Sequence, residues 1–179
     1  MRTDQLRTRF QLLVDEHRKI VYKICNSYCS NPDDRDDLAQ EIVAEAWRSF
    51  PTFEERSRFA TWLYRIALNV AISYNRRETR RHRHVVVGQE HLLDVAGEVR
   101  AEPEGLLLLR QFIEELDPLN KALILLHLDG YGYREVGDVL GITETNVATK
   151  LSRLKTTLRR HFSTADKAQQ QDIKRWTWI

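Results

Sequence analysis

Apolar residues recur along this chain every three or four positions, the spacing of one buried helix face, and no sustained apolar–polar alternation marks a strand. Leu6, Phe10, Leu13, Val14, His17, Val21, Ile24 and Cys25 predict a first helix over residues 4–28, stopped by Asn31-Pro32. A second helix is expected from Asp33 or Asp34, whose carboxylates suit the positive end of a helix dipole. It turns Leu38, Ile42, Ala46 and Trp47 inward as far as Phe50-Pro51. A third, over residues 58–77, presents Phe59, Trp62, Leu63, Ile66, Ala67 and Val70 to a core. Residues 79–104 lose the period and contain Gly88, Gly97 and Pro103, so they read as a linker; Val85–Val87 is too short to count as a strand. Helices are expected again over 104–115, 118–129, 133–140 and 144–162. The fold class is therefore all-α, with two small helical domains.

In the second unit, the stretch YREVGDVLGITETNVATKLSRLKTTLRRHF has the features of a helix-turn-helix. Gly141 can take the left-handed conformation that ends a helix sharply, and two residues later Thr143 can cap the next one. Val147, Leu151, Leu154 and Leu158 form one apolar stripe. Opposite it stand Ala148, Thr149, Ser152, Arg153 and Thr156, flanked by Lys150, Lys155, Arg159 and Arg160. Cations hold phosphates, and short hydrogen-bonding side chains let a helix approach base edges in the major groove.

Formal net charge is only +2, yet the charge is blocked. Residues 31–56 carry −5, residues 74–84 +4, residues 85–104 −4 and residues 148–162 +5, a pattern that points to separate surfaces for separate partners. The basic block 74–84 ends the third helix. That helix also carries a polar stripe of Thr61, Arg65, Asn69, Ser73 and Arg76 or Arg77, able to hold a strand backbone and offer an amide to a base edge. Aromatics near its start could stack on unpaired bases or serve the core.

These residues resemble a known family. DDLAQEIVAEAWRSF followed by FATWLYRIALNVAISYNRR is similar to domain 2 of the extracytoplasmic-function (ECF, group IV) bacterial sigma factors. LDGYGYREVGDVLGITETNVATKLSRLKTTLRR is similar to their domain 4, and the resemblance spans roughly residues 8–162 in the family's order. It implies a non-catalytic promoter-specificity subunit of RNA polymerase, of the sigma-70 family, that recognises −10 and −35 elements and helps open the duplex. By the same resemblance, Asp34, Asp37, Gln40 and Glu41 would dock on the core polymerase. Thr61, Arg65, Asn69, Ser73, Arg76, Arg77 and Arg80 would bind the single-stranded −10 element, with Asn69 reading a flipped base and the arginines, Arg81 among them, gripping phosphates. Thr149, Lys150, Ser152, Arg153, Lys155 and Arg159 would bind the duplex −35 element. Ala148 stands where a relative has an arginine, which leaves the −35 preference open.

The implied domains are residues 1–84 (domain 2), 85–104 (linker), 105–162 (domain 4) and a tail, 163–179, of unknown role. The acidic linker would either mimic RNA near the polymerase active centre or simply space the domains. The tail's Trp176, Trp178 and Ile179 would either fold back on a domain or recruit a regulator. The family also implies an anti-sigma factor.

Other chemistries fit less well. Cys25 and Cys29 share a helix face but lack a neighbouring histidine to complete a tetrahedral metal set, so buried or half-buried thiols are expected. His82 and His84 lie in a cationic run that repels metal ions, and Glu41 and Glu45 have no nucleophile beside them. No cofactor is expected. No apolar run approaches the roughly 18 residues of a membrane span, and the charged start MRTDQLRTRF lacks a signal-peptide core, so a cytoplasmic protein without membrane insertion is expected. The competing readings are a stand-alone helix-turn-helix regulator, which would bind duplex DNA alone, and an enzyme or metal protein using Cys25, Cys29 and His82.

Overall fold

The computed structural model describes residues 2–55, 57–83 and 104–163. Every regular element among them is helical, and they fall into two compact units. The first contains α1 (Arg2–Glu16), α2 (Arg18–Tyr28), α3 (Pro32–Ser49), a single 3-10 turn (Phe50–Thr52) and α4 (Phe59–Arg83). The second contains α5 (Glu104–Glu115), α6 (Pro118–Leu128), α7 (Tyr133–Leu140) and α8 (Glu144–Ser163).

In the first unit α2, α3 and α4 pack against one another. Asn31 Oδ1 caps α3 by accepting from the Asp33 amide at 3.0 Å, and Pro32 occupies the first turn, where its missing N–H costs nothing. Arg35 then closes the α2–α3 turn, donating to the carbonyls of Cys29 and Ser30, each at 2.9 Å. Leu38, Ile42 and Ala46 are fully buried on α3, as their spacing predicted.

Three expectations change here. The single helix over 4–28 is two helices, broken at His17, whose backbone leaves helical geometry (φ −106°, ψ 14°). The His17 ring packs edge-on against Phe59 at 5.3 Å, and its Nδ1 lies 2.9 Å from the Leu13 carbonyl, so a side chain competes for a helical acceptor. The core face of α4 is also rotated. Phe59, Leu63 and Ala67 are buried as expected, but Tyr64, Leu68 and Ala71 complete the face, while Trp62, Ile66 and Val70 are half-buried. A helix lodged against both α2 and α3 buries a wider arc than one apolar stripe. α4 also runs on to Arg83, six residues past the expected end, through Glu78 and three arginines with no Gly or Pro to stop it.

The second unit follows its expected boundaries closely. Asp117 caps α6, its Oδ1 accepting from the amides of Leu119 and Asn120 at 3.1 Å each. α6 is buried almost all round, from Lys121 to Leu126. α7 ends at Gly141 in the left-handed region (φ 69°), and Thr143 Oγ1 accepts from the Asn146 amide at 3.2 Å to start α8. Val147, Leu151 and Leu154 are buried on α8, and Leu158 is half-buried.

Gly141→Ala is expected to cost about 1–2 kcal/mol, because only glycine occupies left-handed backbone without strain. Thermal unfolding of the second unit measures this; an unchanged midpoint would show that the turn tolerates another conformation.

Candidate nucleic-acid and protein interfaces

At 100° per residue, Thr61, Arg65, Asn69, Ser73 and Arg76 line up along the side of α4 away from its buried arc. Arg65, Asn69, Ser73 and Arg76 are exposed and Thr61 is half-buried. Arg77 lies one step further round, on the α3 side, where one guanidinium nitrogen reaches both oxygens of Glu41 at 2.9 and 2.6 Å. The guanidinium also sits over the Tyr74 ring, 5.6 Å from its centroid. Arg80 lies in the last turns of α4, but its side chain falls outside the described set, as do those of Arg81 and His82.

Trp62 belongs to an aromatic cluster at the start of α4, with Phe53 at 4.9 Å, Phe59 at 5.2 Å and Phe50 at 6.1 Å between ring centroids. The cluster anchors Phe53, and with it the start of the loop before α4, beside the polar stripe. Within that loop Glu55 adopts left-handed backbone (φ 55°) and pairs with Arg9 of α1. Phe53 was the one apolar signal in this otherwise polar loop.

On α3, Asp37 and Gln40 are exposed, whereas Asp34 and Glu41 are half-buried. Both half-buried acids are engaged by α4: the Tyr74 hydroxyl donates to Asp34 at 3.3 Å, and Arg77 holds Glu41. Burial first, then the Asp34 carboxylate, pushes the Tyr74 hydroxyl up to about 12, so it stays a donor at neutral pH. Residues expected to serve two different partners are thus brought together. Spacing along the sequence could not have revealed the pairing.

On α8, Thr149, Ser152, Arg153 and Arg159 are exposed opposite the apolar stripe, while Lys150 and Lys155 lie half-buried on its flanks. The Thr149 hydroxyl donates to the Thr145 carbonyl at 2.9 Å, and Thr156 and Thr157 bond the carbonyls of Ser152 and Arg153 at 3.0 and 3.1 Å. With its proton committed inside the helix, Thr149 offers an outside partner an acceptor and a methyl group. Thr145 and Asn146 at the exposed start of α8 extend this face and were overlooked, although the same helical period points to them.

Cys25 and Cys29 are buried free thiols. Burial, with lesser contributions from Asp36 and Asp34, pushes them up to about 11 and about 12 respectively. At pH 8 a disulfide reagent should react with them at least about a hundredfold more slowly in the folded protein than after unfolding, Cys29 being the slower, because the thiolate is the nucleophile. Equal rates would contradict their burial. The raised values stabilise the fold below about pH 9, and that contribution is lost as pH climbs towards about 11 and about 12. Among the described residues, no group of three or more His, Cys, Asp or Glu could hold a metal ion, and no helix is long and apolar enough to cross a membrane.

Residues 13–81 match the Sigma-70 region 2 family and residues 106–158 the Sigma-70, region 4 family. The chain is 31% identical to the ECF RNA polymerase sigma-E factor of Escherichia coli (strain K12), over 80% of this chain and 81% of that protein. It is 29% identical to the ECF RNA polymerase sigma factor SigW of Bacillus subtilis, over 84% of this chain and 87% of the relative. The fold resembles CnrH, solved in complex with the cytosolic domain of CnrY, with TM-score 0.63 and 21% identity over 89% of this chain and 91% of that one. It equally resembles the sigma factor RpoE, solved with the anti-sigma factor NepR from Bartonella quintana, with TM-score 0.63 and 18% identity over 90% of this chain and 99% of that one.

Proposed function

The chain belongs to the ECF sigma factors of the sigma-70 family and directs RNA polymerase to specific promoters, and from that premise we propose how its residues divide the work. Residues 1–84 bind the core polymerase and the melted −10 element, 85–104 link the units, and 105–162 bind the −35 element; no role is assigned to 163–179. Family membership displaces the stand-alone regulator reading.

The observation that carries this assignment is the exposed stripe of α4, where Arg65, Asn69, Ser73 and Arg76 stand in line beside a ring cluster. Arg65 and Arg76 neutralise phosphates of the non-template strand, and the Asn69 amide, a donor and an acceptor on one planar group, reads an extruded base edge. On α8 the exposed Arg153 and Arg159 fix phosphates, and Thr149 meets base edges as an acceptor. Lys150 and Lys155 reach backbone phosphates from the flanks of the same helix. Asp37 and Gln40, the exposed members of the α3 set, make the first polymerase contact, with Asp34 and Glu41 beside them. The protein supplies no bond-breaking chemistry: strand opening follows from capturing unpaired bases, and it acts in the cytoplasm where its polymerase is. An anti-sigma factor is its expected restraint, as NepR is the partner of the similarly folded RpoE.

Asn69→Ala tests this assignment. Open-complex formation, read by reactivity of unpaired thymines at the −10 element, should fall about tenfold or more, the discrimination expected of one good base contact. Affinity for core polymerase should not change. Undiminished opening would remove Asn69 from the DNA face.

A further inference from the structure

Asp34, Tyr74, Arg77 and Glu41 form a continuous chain of contacts between α3 and α4. Its outer member, the Glu41–Arg77 ion pair, is accessible: the two side chains keep 36% and 53% of their surface exposed. The same two groups have competing outside uses. A carboxylate whose charge is already matched by arginine is a weaker acceptor for a polymerase donor, and a guanidinium nitrogen turned to both oxygens of that carboxylate is turned away from a phosphate, so the two outside uses compete with the pair. We propose that the Glu41–Arg77 pair is an internal latch, closed in the free protein, which polymerase docking on α3 opens to release Arg77 onto the promoter strand. This rests on the assignment of α3 to polymerase and α4 to DNA.

The latch has to be weak to work. A pair this exposed is screened by water and salt, so a competing contact from either side can displace it. The hydrogen bond and charge of Glu41 favour the charged guanidinium, so pH changes near neutrality do not open the latch by deprotonating Arg77. Glu78 is a further acid whose charge acts on Arg77. Competition for the carboxylate is the remaining trigger. Arg76, in line with Asn69 rather than turned towards α3, is the arginine available to DNA without it.

The test measures binding of the full chain to a fluorescent (dT)20 strand across a salt series, and separately to core polymerase. Glu41→Gln should raise oligonucleotide affinity about two- to fivefold, the range open to an exposed ion pair. It should also steepen the log–log salt slope by about 0.7, the contribution of one phosphate on single strands. The Glu41→Gln/Arg77→Gln double variant should lose both gains, and Asp36→Asn, with the same change of charge on the same helix, should not raise the slope. Arg77→Gln alone should leave the slope at the wild-type value and tighten core binding about two- to fivefold. A gain that survives in the double variant, no gain in Glu41→Gln, or weaker core binding by Arg77→Gln overturns the latch. Arg76→Gln separates this from the parent assignment. If it weakens oligonucleotide binding while Glu41→Gln changes nothing, the latch alone fails; if Arg76→Gln and Arg65→Gln are both without effect, the DNA face of α4 falls and the latch with it.

Discussion

Gly137→Ala is expected to destabilise the second unit by about 2 kcal/mol. A methyl group at Gly137 would stand 2.6 Å from the Ile142 carbonyl oxygen and 3.5 Å from the Glu144 amide nitrogen, both backbone atoms that no rotamer change can move. The helix-turn-helix closes on this residue. The amides of Gly141 and Ile142 both donate to the Gly137 carbonyl, the second at 3.1 Å, which fixes where α8 starts relative to α7. Relieving the overlap means pushing the turn away, at about 3 kcal/mol by analogy with overpacked cores. Alanine's better helix propensity returns about 1 kcal/mol. Gly105→Ala is the matched control: nothing lies within 4 Å of its added carbon, so stability should rise or hold. A Gly137→Ala protein that melts no earlier than wild type would contradict the close packing of the turn.

Ile42→Ala is expected to cost the first unit about 2–5 kcal/mol, the range for truncating a fully buried aliphatic side chain. Ile42 has no exposed surface and sits between Leu38 and Ala46 on the side of α3 that faces the core. Its loss leaves a cavity under the helix that carries Asp34, Asp37 and Glu41. The Asp34–Tyr74 and Glu41–Arg77 contacts depend on that helix staying seated on α4. Denaturant unfolding measures the loss, and a change below about 1 kcal/mol would mean that α3 is not held by its core face.

What was legible in the sequence was whatever local chemistry settles. The α7–turn–α8 boundaries were readable because Gly141, Thr143 and the Val147–Leu151–Leu154 spacing each act within a few residues. The polar stripe of α4 was readable for the same reason, since helical geometry alone places Arg65 and Asn69 together. The break at His17 was not, because a histidine on an apolar stripe gives no sign that its ring will turn back to the Leu13 carbonyl, and the Phe59 ring it packs on is forty-two residues away in the chain. Nor was the burial of Tyr64 and Leu68, which depends on α4 having neighbours on two sides. Gly137 did leave a trace: a glycine within a short helix costs helix stability and so needs a packing reason. The pairing of Glu41 with Arg77 left none, because it joins two elements whose mutual placement only the folded core determines.

The central claim is that this chain turns core polymerase into a promoter-specific enzyme. Run-off transcription with bacterial core polymerase, with and without the protein, on promoters taken from upstream of its own operon, tests it most directly. The account predicts a specific transcript only when the protein is present, lost on charge reversal at Asp37 and Glu41 with helical content retained. No transcript and no complex with core, together with tight duplex binding by the protein alone, would contradict it.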